Sequence, residues 1–353
     1  MSYYDELSRH YERSLAEKTK KLHQILPAIG YSADKVKIRP SPFQEFRLRG
    51  KFKVYTSGKV MGTDPVKGEV PYTQALWIFP SFICQAVRRT VSLIILHRRE
   101  WPVDGFEIKG AHQNKEVFLI LAVKKSRRGK SYDTFAQLLL KEVPCLAGVA
   151  IPSQKRVYGA EYISHFVLGE RLLSHYQAFF QVNPHLLSCF LSQIKREVRT
   201  LNFQEAYDLY CGVGLFSLLC LPPEKRIIGI DLNSYAINSA RLNALNLSRA
   251  TAYFFSQRAE EFLASCSPRP DSLWIINPSR QGCESKVIKQ LLELTPSWIL
   301  FVSCSLVTLK KNVFSLVKNG YKIMSLDAYD QFPFSPFLET VTLMRRGEAK
   351  SAA

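Results

Sequence analysis

Apolar side chains recur at spacings of three, four and seven over residues 2–26, at Tyr4, Leu7, Tyr11, Leu15 and Leu22. That rhythm predicts an amphipathic helix. It changes at FRLRGKFKVY (46–55), where Phe46, Leu48, Gly50, Phe52 and Val54 alternate with Arg47, Arg49, Lys51 and Lys53. Period two predicts a strand with one apolar and one cationic face. Residues 82–97 read as a half-buried helix, and FEIKGA and EVFLILAVKK as a strand pair joined by HQN. SYDTFAQLLLKEV reads as a helix, LAGVAIP and KRVYGAEYISHFVLG as further strands. An α+β region over 35–175, preceded by a helix within 1–34, is the expectation.

The texture changes again near residue 205. EAYDLYCGVGLF, RIIGIDLN, SLWIINP and SWILFVSC are short apolar runs, each followed by helix-like sequence. This βα alternation predicts a parallel sheet covered on both faces. YKIMSLDAY and ETVTLMRR lie close together and predict an antiparallel finish. The fold class is therefore α/β, with a sheet domain over 176–346 and a frayed tail over 347–353.

Charge adds a partner to this picture. The chain has 48 Lys and Arg against 30 Asp and Glu, a net charge of +18, which argues for a polyanion such as RNA. The cations at 47, 49, 51 and 53 have no carboxylate between them, so their face is a candidate for nucleic acid phosphates. A solvated sheet face is the alternative. Phe52, Tyr55, Tyr72, Trp77 and Trp101 are candidates to stack on bases or to pack the core. The longest apolar runs, VSLIIL and VFLILAV, fall far short of the roughly 18 residues of a membrane helix. The charged start has no signal-peptide core, so a cytoplasmic protein without a membrane partner is expected. Eight cysteines form no C-x-x-C pair and seven histidines no HxxxH pair, so reduced thiols and no metal are expected.

Candidate chemistry gathers at the ends of the predicted parallel strands. In DLYCGVGLF, Gly212 and Gly214 permit a tight turn between strand and helix, and Asp231 closes the next strand where ribose hydroxyls are commonly bound. A dinucleotide site wants G-x-G-x-x-G, and Ser217 stands at the last position. A nicotinamide-dependent oxidoreductase is disfavoured on that ground. INPSR places Asn277 and Arg280 at the third strand end, and FVSC places Cys304 at the fourth. A cysteine there is either a small buried hydrophobe or a nucleophile.

FFQVN, DLYCGVG, INPSRQG, FVSC followed by T-L, and DQFPFSPFLE stand in the order and approximate spacing of the RNA uracil-5-methyltransferase family. The chain resembles that family over 175–346, and more loosely over 35–85. The resemblance implies a Rossmann-like class I methyltransferase that uses S-adenosylmethionine to make 5-methyluridine in RNA. It implies Cys304 as the nucleophile that adds to uracil C6, and Glu339 as the base that removes the C5 proton. Gln181, Tyr210, Asp231 and Asn277 match cofactor contacts, alongside Gly212 and Gly214. Arg280 matches an arginine that positions the base or lowers the thiol pKa.

Three departures stand out. Ser279 replaces a second proline, SCSL replaces S-C-N, and Ser335 and Phe337 replace a threonine and a histidine before the base. Some members add a cysteine-rich iron–sulfur segment or a small β-barrel, and neither is expected here. The expected substrate is 23S rRNA, with tRNA as the alternative, and the expected state a monomer. A non-catalytic RNA-binding protein with a decayed methyltransferase domain is a third reading.

Overall fold

The computed structural model describes residues 3–123 and 131–347. Two compact units are present: Met1–Ser41 together with Leu186–Ala353, and Pro42–His185. Of the tail expected at 347–353, residues 348–353 lie outside the described residues.

Helix α1 (Tyr3–Ile25) opens the chain. Its buried stripe is Leu7, Tyr11, Lys18 and Leu22. Tyr4 is 55% exposed and Leu15 only half buried, so the stripe differs from the apolar periodicity by including a lysine. Leu22, Leu26, Ile29 and Val36 join the core that contains Trp274, Phe301 and Tyr321. Strand β1 (Ile38–Arg39) follows.

The middle unit carries β2 (Arg49–Val54), β3 (Val60–Asp64), β4 (Gly68–Pro71), α2 (Ser81–Leu96), β5 (Gly105–Ala111) and β6 (Glu116–Ala122). After these come α3 (Asp133–Glu142), β7 (Leu146–Ile151), β8 (Arg156–Gly159), β9 (Tyr162–Val167) and β10 (Glu170–His175). One sheet runs in the order β4-β3-β2-β5-β6-β7-β8, and β9 pairs with β10 separately. The expected β5–β6 pair is antiparallel, with Ile108 opposite Leu119. Phe52 stacks on Phe106 of the neighbouring strand, centroids 4.9 Å apart, so the apolar half of the 46–55 alternation is core.

The remaining unit contains α4 (Pro184–Arg199), β11 (Glu205–Leu209), α5 (Leu215–Leu219), β12 (Arg226–Asp231), α6 (Ser234–Asn246), β13 (Ala252–Ser256) and α7 (Ala259–Ser265). It closes with β14 (Ser272–Ile276), α8 (Ser285–Leu294), β15 (Trp298–Ser303), α9 (Leu306–Lys318), β16 (Tyr321–Tyr329) and β17 (Glu339–Arg346). Its sheet has the order β1-β16-β17-β15-β14-β11-β12-β13. The five strands from β15 to β13 are parallel, and β17 lies antiparallel between β15 and β16. All residues of β11 and β14 are buried, as strands covered on both faces must be. This is the α/β arrangement expected, with its antiparallel finish.

Lys18 explains how α1 is tied to this unit. Its ammonium lies 2.5 Å from Asp330 Oδ1 and donates to the Phe332 carbonyl at 2.8 Å, with both charged side chains buried. Burial pulls the Lys18 pKa down, and the Asp330 charge opposes that shift. Removing one partner of such a pair strands a charge in low dielectric. K18M should lose about 3–5 kcal/mol in urea denaturation. K18M/D330N should lose less than K18M alone, because the stranded carboxylate is gone.

Candidate active site

The order of the sheet reverses at β11, with β12 on one side and β14 on the other. Open α/β sheets form their ligand crevice beyond the carboxyl ends of strands at such a point. The chain leaves β11 through Tyr210 (φ +65°), Gly212 (φ +57°) and Gly214 (φ +83°). Nothing lies within 4 Å of a Cβ placed on Gly212, so its requirement is conformational. On Gly214 a Cβ would also press on Leu218 at 2.9 Å.

The turn is fastened to Asp231. Gly212 N–H donates to Asp231 Oδ2 at 2.9 Å and Asn233 N–H to Oδ1 at 2.8 Å. Each carboxylate oxygen keeps acceptor capacity for a further donor. Ser217 is buried beneath the turn and donates to Asp208, whose carboxyl burial pushes up to about 7. The position where a dinucleotide site would have glycine thus needs a hydroxyl here. Asp208 is a participant that sequence reasoning passed over, although it opens the DLYCGVG motif.

A cavity of about 570 Å³ lies at these strand ends, lined by Tyr210, Asp231, Leu232, Gln257, Glu260 and Cys283 among others. Ser279, Gln281 and Gly282 of the loop after β14 also line it. Gly212, Gly214 and Asn277 are not lining residues. Asn277 N–H donates to the Leu209 carbonyl at 3.3 Å, joining the β14 and β11 ends. Cys283 is buried and pushed up to about 12 by that burial, against a hydrogen bond from Tyr210.

Cys304 and Glu339 meet through strand register. In the antiparallel β15–β17 pair, Ser303 is opposite Thr340. Cys304 directly follows Ser303 and Glu339, the first residue of β17, directly precedes Thr340, so both flank that last pair. Opposed residues of an antiparallel pair share a face. Hydroxyls hold the turn: Thr340 Oγ1 donates to the Ser303 carbonyl at 3.1 Å, and Thr308 Oγ1 to the Ser305 carbonyl at 3.0 Å. Arg280, from the loop after β14, acts on the Cys304 thiol and favours its charged form.

Glu339 is 2% exposed. Burial pushes its carboxyl up to about 8, with Arg280 pulling the other way. Burial first, and the Glu339 charge second, push the Cys304 thiol up to about 11, against Arg280. Cys304 is half buried, not sealed in the core.

The other candidates lie in the middle unit. Gln181 lines a small cavity there with Arg49, Lys109, His165 and Phe180. His165 stacks on Phe180 with centroids 3.7 Å apart, and Lys109 Nζ donates to the Tyr176 and Ala178 carbonyls. The cationic face is less bare than its own ten residues indicate. Glu107 on β5 lies 2.5 Å from Arg49 Nε and 3.8 Å from Lys51 Nζ. Lys53 Nζ sits 4.6 Å from the Tyr55 ring centroid. Arg47 N–H donates to the Ile78 carbonyl at 3.0 Å. Phe52 and Trp101 are buried, and Trp77 donates to Asp64 at 2.7 Å.

Glu339 links the site to stability. Below its ordinary value of 4.5 the carboxyl is neutral folded or unfolded and costs nothing; its penalty grows as pH rises and is complete above about 8. E339Q should therefore melt at a higher temperature than the parent chain at about pH 9, with the difference vanishing towards about pH 4. Calorimetry across that range checks this.

A family model described as tRNA (Uracil-5-)-methyltransferase matches residues 271–347. A 23S rRNA (uracil(747)-C(5))-methyltransferase of Pectobacterium carotovorum is 32% identical over 170 residues, 48% of this chain and 44% of that protein. One of Xenorhabdus nematophila is 24% identical over 96% of this chain and 95% of its own length. In the alignment with the Pectobacterium protein, this chain spans less than half of the relative's length. The solved structure of Pyrococcus abyssi tRNA (uracil-54, C5)-methyltransferase, in complex with S-adenosyl-L-homocysteine, has the same fold, with TM-score 0.73 and 21% identity over 95% of this chain and 83% of that one. The segment matched by the family model carries Asn277, Arg280, Cys304 and Glu339, and the chain is similar to RNA uracil-5-methyltransferases.

Proposed function

We propose that this chain is an S-adenosylmethionine-dependent RNA methyltransferase that forms 5-methyluridine, with 23S rRNA as substrate. The observation that carries the proposal is that Cys304 and Glu339 flank the last pair of the β15–β17 register, with the charges of Glu339 and Arg280 both acting on the thiol. The cavity beside Tyr210 and Asp231 fits the cofactor: its volume suits a small molecule, and Asp231 is oriented by two N–H groups with acceptor capacity left for ribose hydroxyls. Bound there, S-adenosylmethionine supplies an electrophilic methyl group. Tyr210 and Asp231 would hold it, with Gly212, Gly214 and Asn277 shaping the strand ends.

Uracil C5 is a weak nucleophile, and the side chains here answer that difficulty. The Cys304 thiolate forms a bond to C6, and the C5=C6 electron pair becomes an enolate shared between C5 and O4. Once C5 carries its methyl group, Glu339 takes the C5 proton. The double bond re-forms as the C6–S bond breaks and the thiolate leaves. A carboxylate pushed up to about 8 is a stronger base than an ordinary one, as this abstraction requires. Burial and the Glu339 charge push the Cys304 thiol up, and the Arg280 cation works against them to favour the reactive thiolate. The target uridine has to be unstacked for sulfur to reach C6.

Relatives named as 23S rRNA methyltransferases support the substrate. The tRNA reading is favoured by the names of the family model and of the Pyrococcus abyssi structure. The middle unit is the proposed RNA-binding region, with Arg47, Lys51 and Lys53 as phosphate contacts and Arg49 engaged to Glu107. A cytoplasmic, monomeric enzyme is part of the proposal. Gln181 is proposed to contact the cofactor.

Incubation with S-adenosylmethionine and RNA containing 5-fluorouridine tests the chemistry, because fluorine at C5 blocks the final elimination. The parent chain should give a denaturation-resistant RNA adduct, and C304A none. No adduct from the parent with either RNA would end the proposal in favour of a non-catalytic RNA-binding protein. Mass mapping of 5-methyluridine in cells with and without the protein should show loss from 23S rRNA; loss from tRNA instead would replace the substrate.

A further inference from the structure

Arg280 has no carboxylate within ion-pair distance among the described residues, yet it has to hold its charge beside Cys304. Two aromatic rings occupy the place of an ionic partner. The guanidinium carbon lies 3.9 Å from the Phe337 ring centroid and 5.5 Å from that of Phe332. The two rings meet edge to face, with centroids 6.4 Å apart and planes at 78°. A cation over a ring face gains electrostatic attraction without a charge that would neutralise it.

The loop holding these rings is internally braced. Ser335 Oγ donates to the Phe332 carbonyl at 2.8 Å and accepts from Phe337 N–H at 3.3 Å. The same Phe332 carbonyl takes a hydrogen bond from Lys18. The hydroxyl at 335 thus joins the two ring-bearing residues, and the helix α1 ties them to the core. Phe337, which in the sequence reads as a lost imidazole, is here a binding face for a cation.

We propose that Phe337, assisted by Phe332, is a positioning residue that holds the Arg280 guanidinium at the Cys304 sulfur. Arg280 acts on the Cys304 thiol by its charge; Phe337 acts only through Arg280. The charged groups that act on Cys304 are Glu339, across the β15–β17 ladder, and Arg280. A cation–π contact leaves the arginine charge undiminished, so the thiolate keeps its counter-charge while Glu339 remains free to serve as base. The catalytic meaning of this clamp rests on the proposed methyl transfer, but its test does not.

The test follows iodoacetamide alkylation of Cys304 by peptide mass spectrometry across pH in the full chain. The pH midpoint, not the absolute rate, is read, so altered access to the sulfur does not count. F337L should move the midpoint upward by about 0.5 to 1 pH unit, in the same direction as R280Q. F337L/R280Q should move no further than R280Q alone, and F337Y, which keeps the ring face, should match the parent. F332L should give a smaller upward shift, and it carries the test if F337L does not fold. A parental midpoint in folded F337L or F332L, or additive shifts in the double variant, would overturn the clamp. Failure of the fluorouridine trap with normal alkylation shifts would remove the proposed activity and leave the clamp standing.

Discussion

The pairing of β15 with β17 decides which side chain faces Cys304. Its register is set where both strands are buried, and a slip of one residue would turn Glu339 to the opposite face of the sheet. Thr340 and Ser303, both buried, connect at the last pair before the site. Under the proposed chemistry, the insertion of β17 between β15 and β16 is a chemical requirement as much as a topological one. A sheet that ended at β15 would present the sulfur with no carboxylate opposite it.

Around that pair the protein keeps charges where solvent cannot relax them. Glu339, Asp208, Asp330 and Lys18 are all nearly inaccessible. Low dielectric makes each of them costly, and it also makes a single guanidinium effective over the sulfur and the carboxyl. The same burial that weakens the fold at Glu339 gives that carboxyl its basicity. If Glu339 is the proposed base, stability and reactivity pull against each other at one residue.

Much of this was legible in the chain. Four βα strand ends carry Tyr210, Asp231, Asn277 and Cys304 because a parallel sheet places its loops at one edge, and period and spacing reveal such a sheet. Strand β13 (Ala252–Ser256) escaped notice: it is an edge strand whose Tyr253 and Phe255 are exposed, so it lacks the continuous burial that marks its neighbours. Lys18 was also missed, although it falls seven residues after Tyr11 and four before Leu22, on the apolar stripe of α1. A lysine at such a position is a sequence signal for a buried acid elsewhere. The partner, Asp330, lies 312 residues away, and no local pattern identifies it. Glu107 was hidden for the same reason, since cross-strand neighbours are set by pairing and not by adjacency along the chain.

The unit that contains the sheet is built from two stretches of chain, with Pro42–His185 between them. Helix α1 is synthesised first, yet the acid that neutralises Lys18 arrives 312 residues later. At ribosomal speeds of about 5–20 residues per second, that interval is roughly 15 to 60 s. During it the amphipathic helix has no finished surface to cover, while the intervening unit has all of its own strands and can fold. Helix α1 can take its final place on Asp330 only after the whole of the intervening unit has been made.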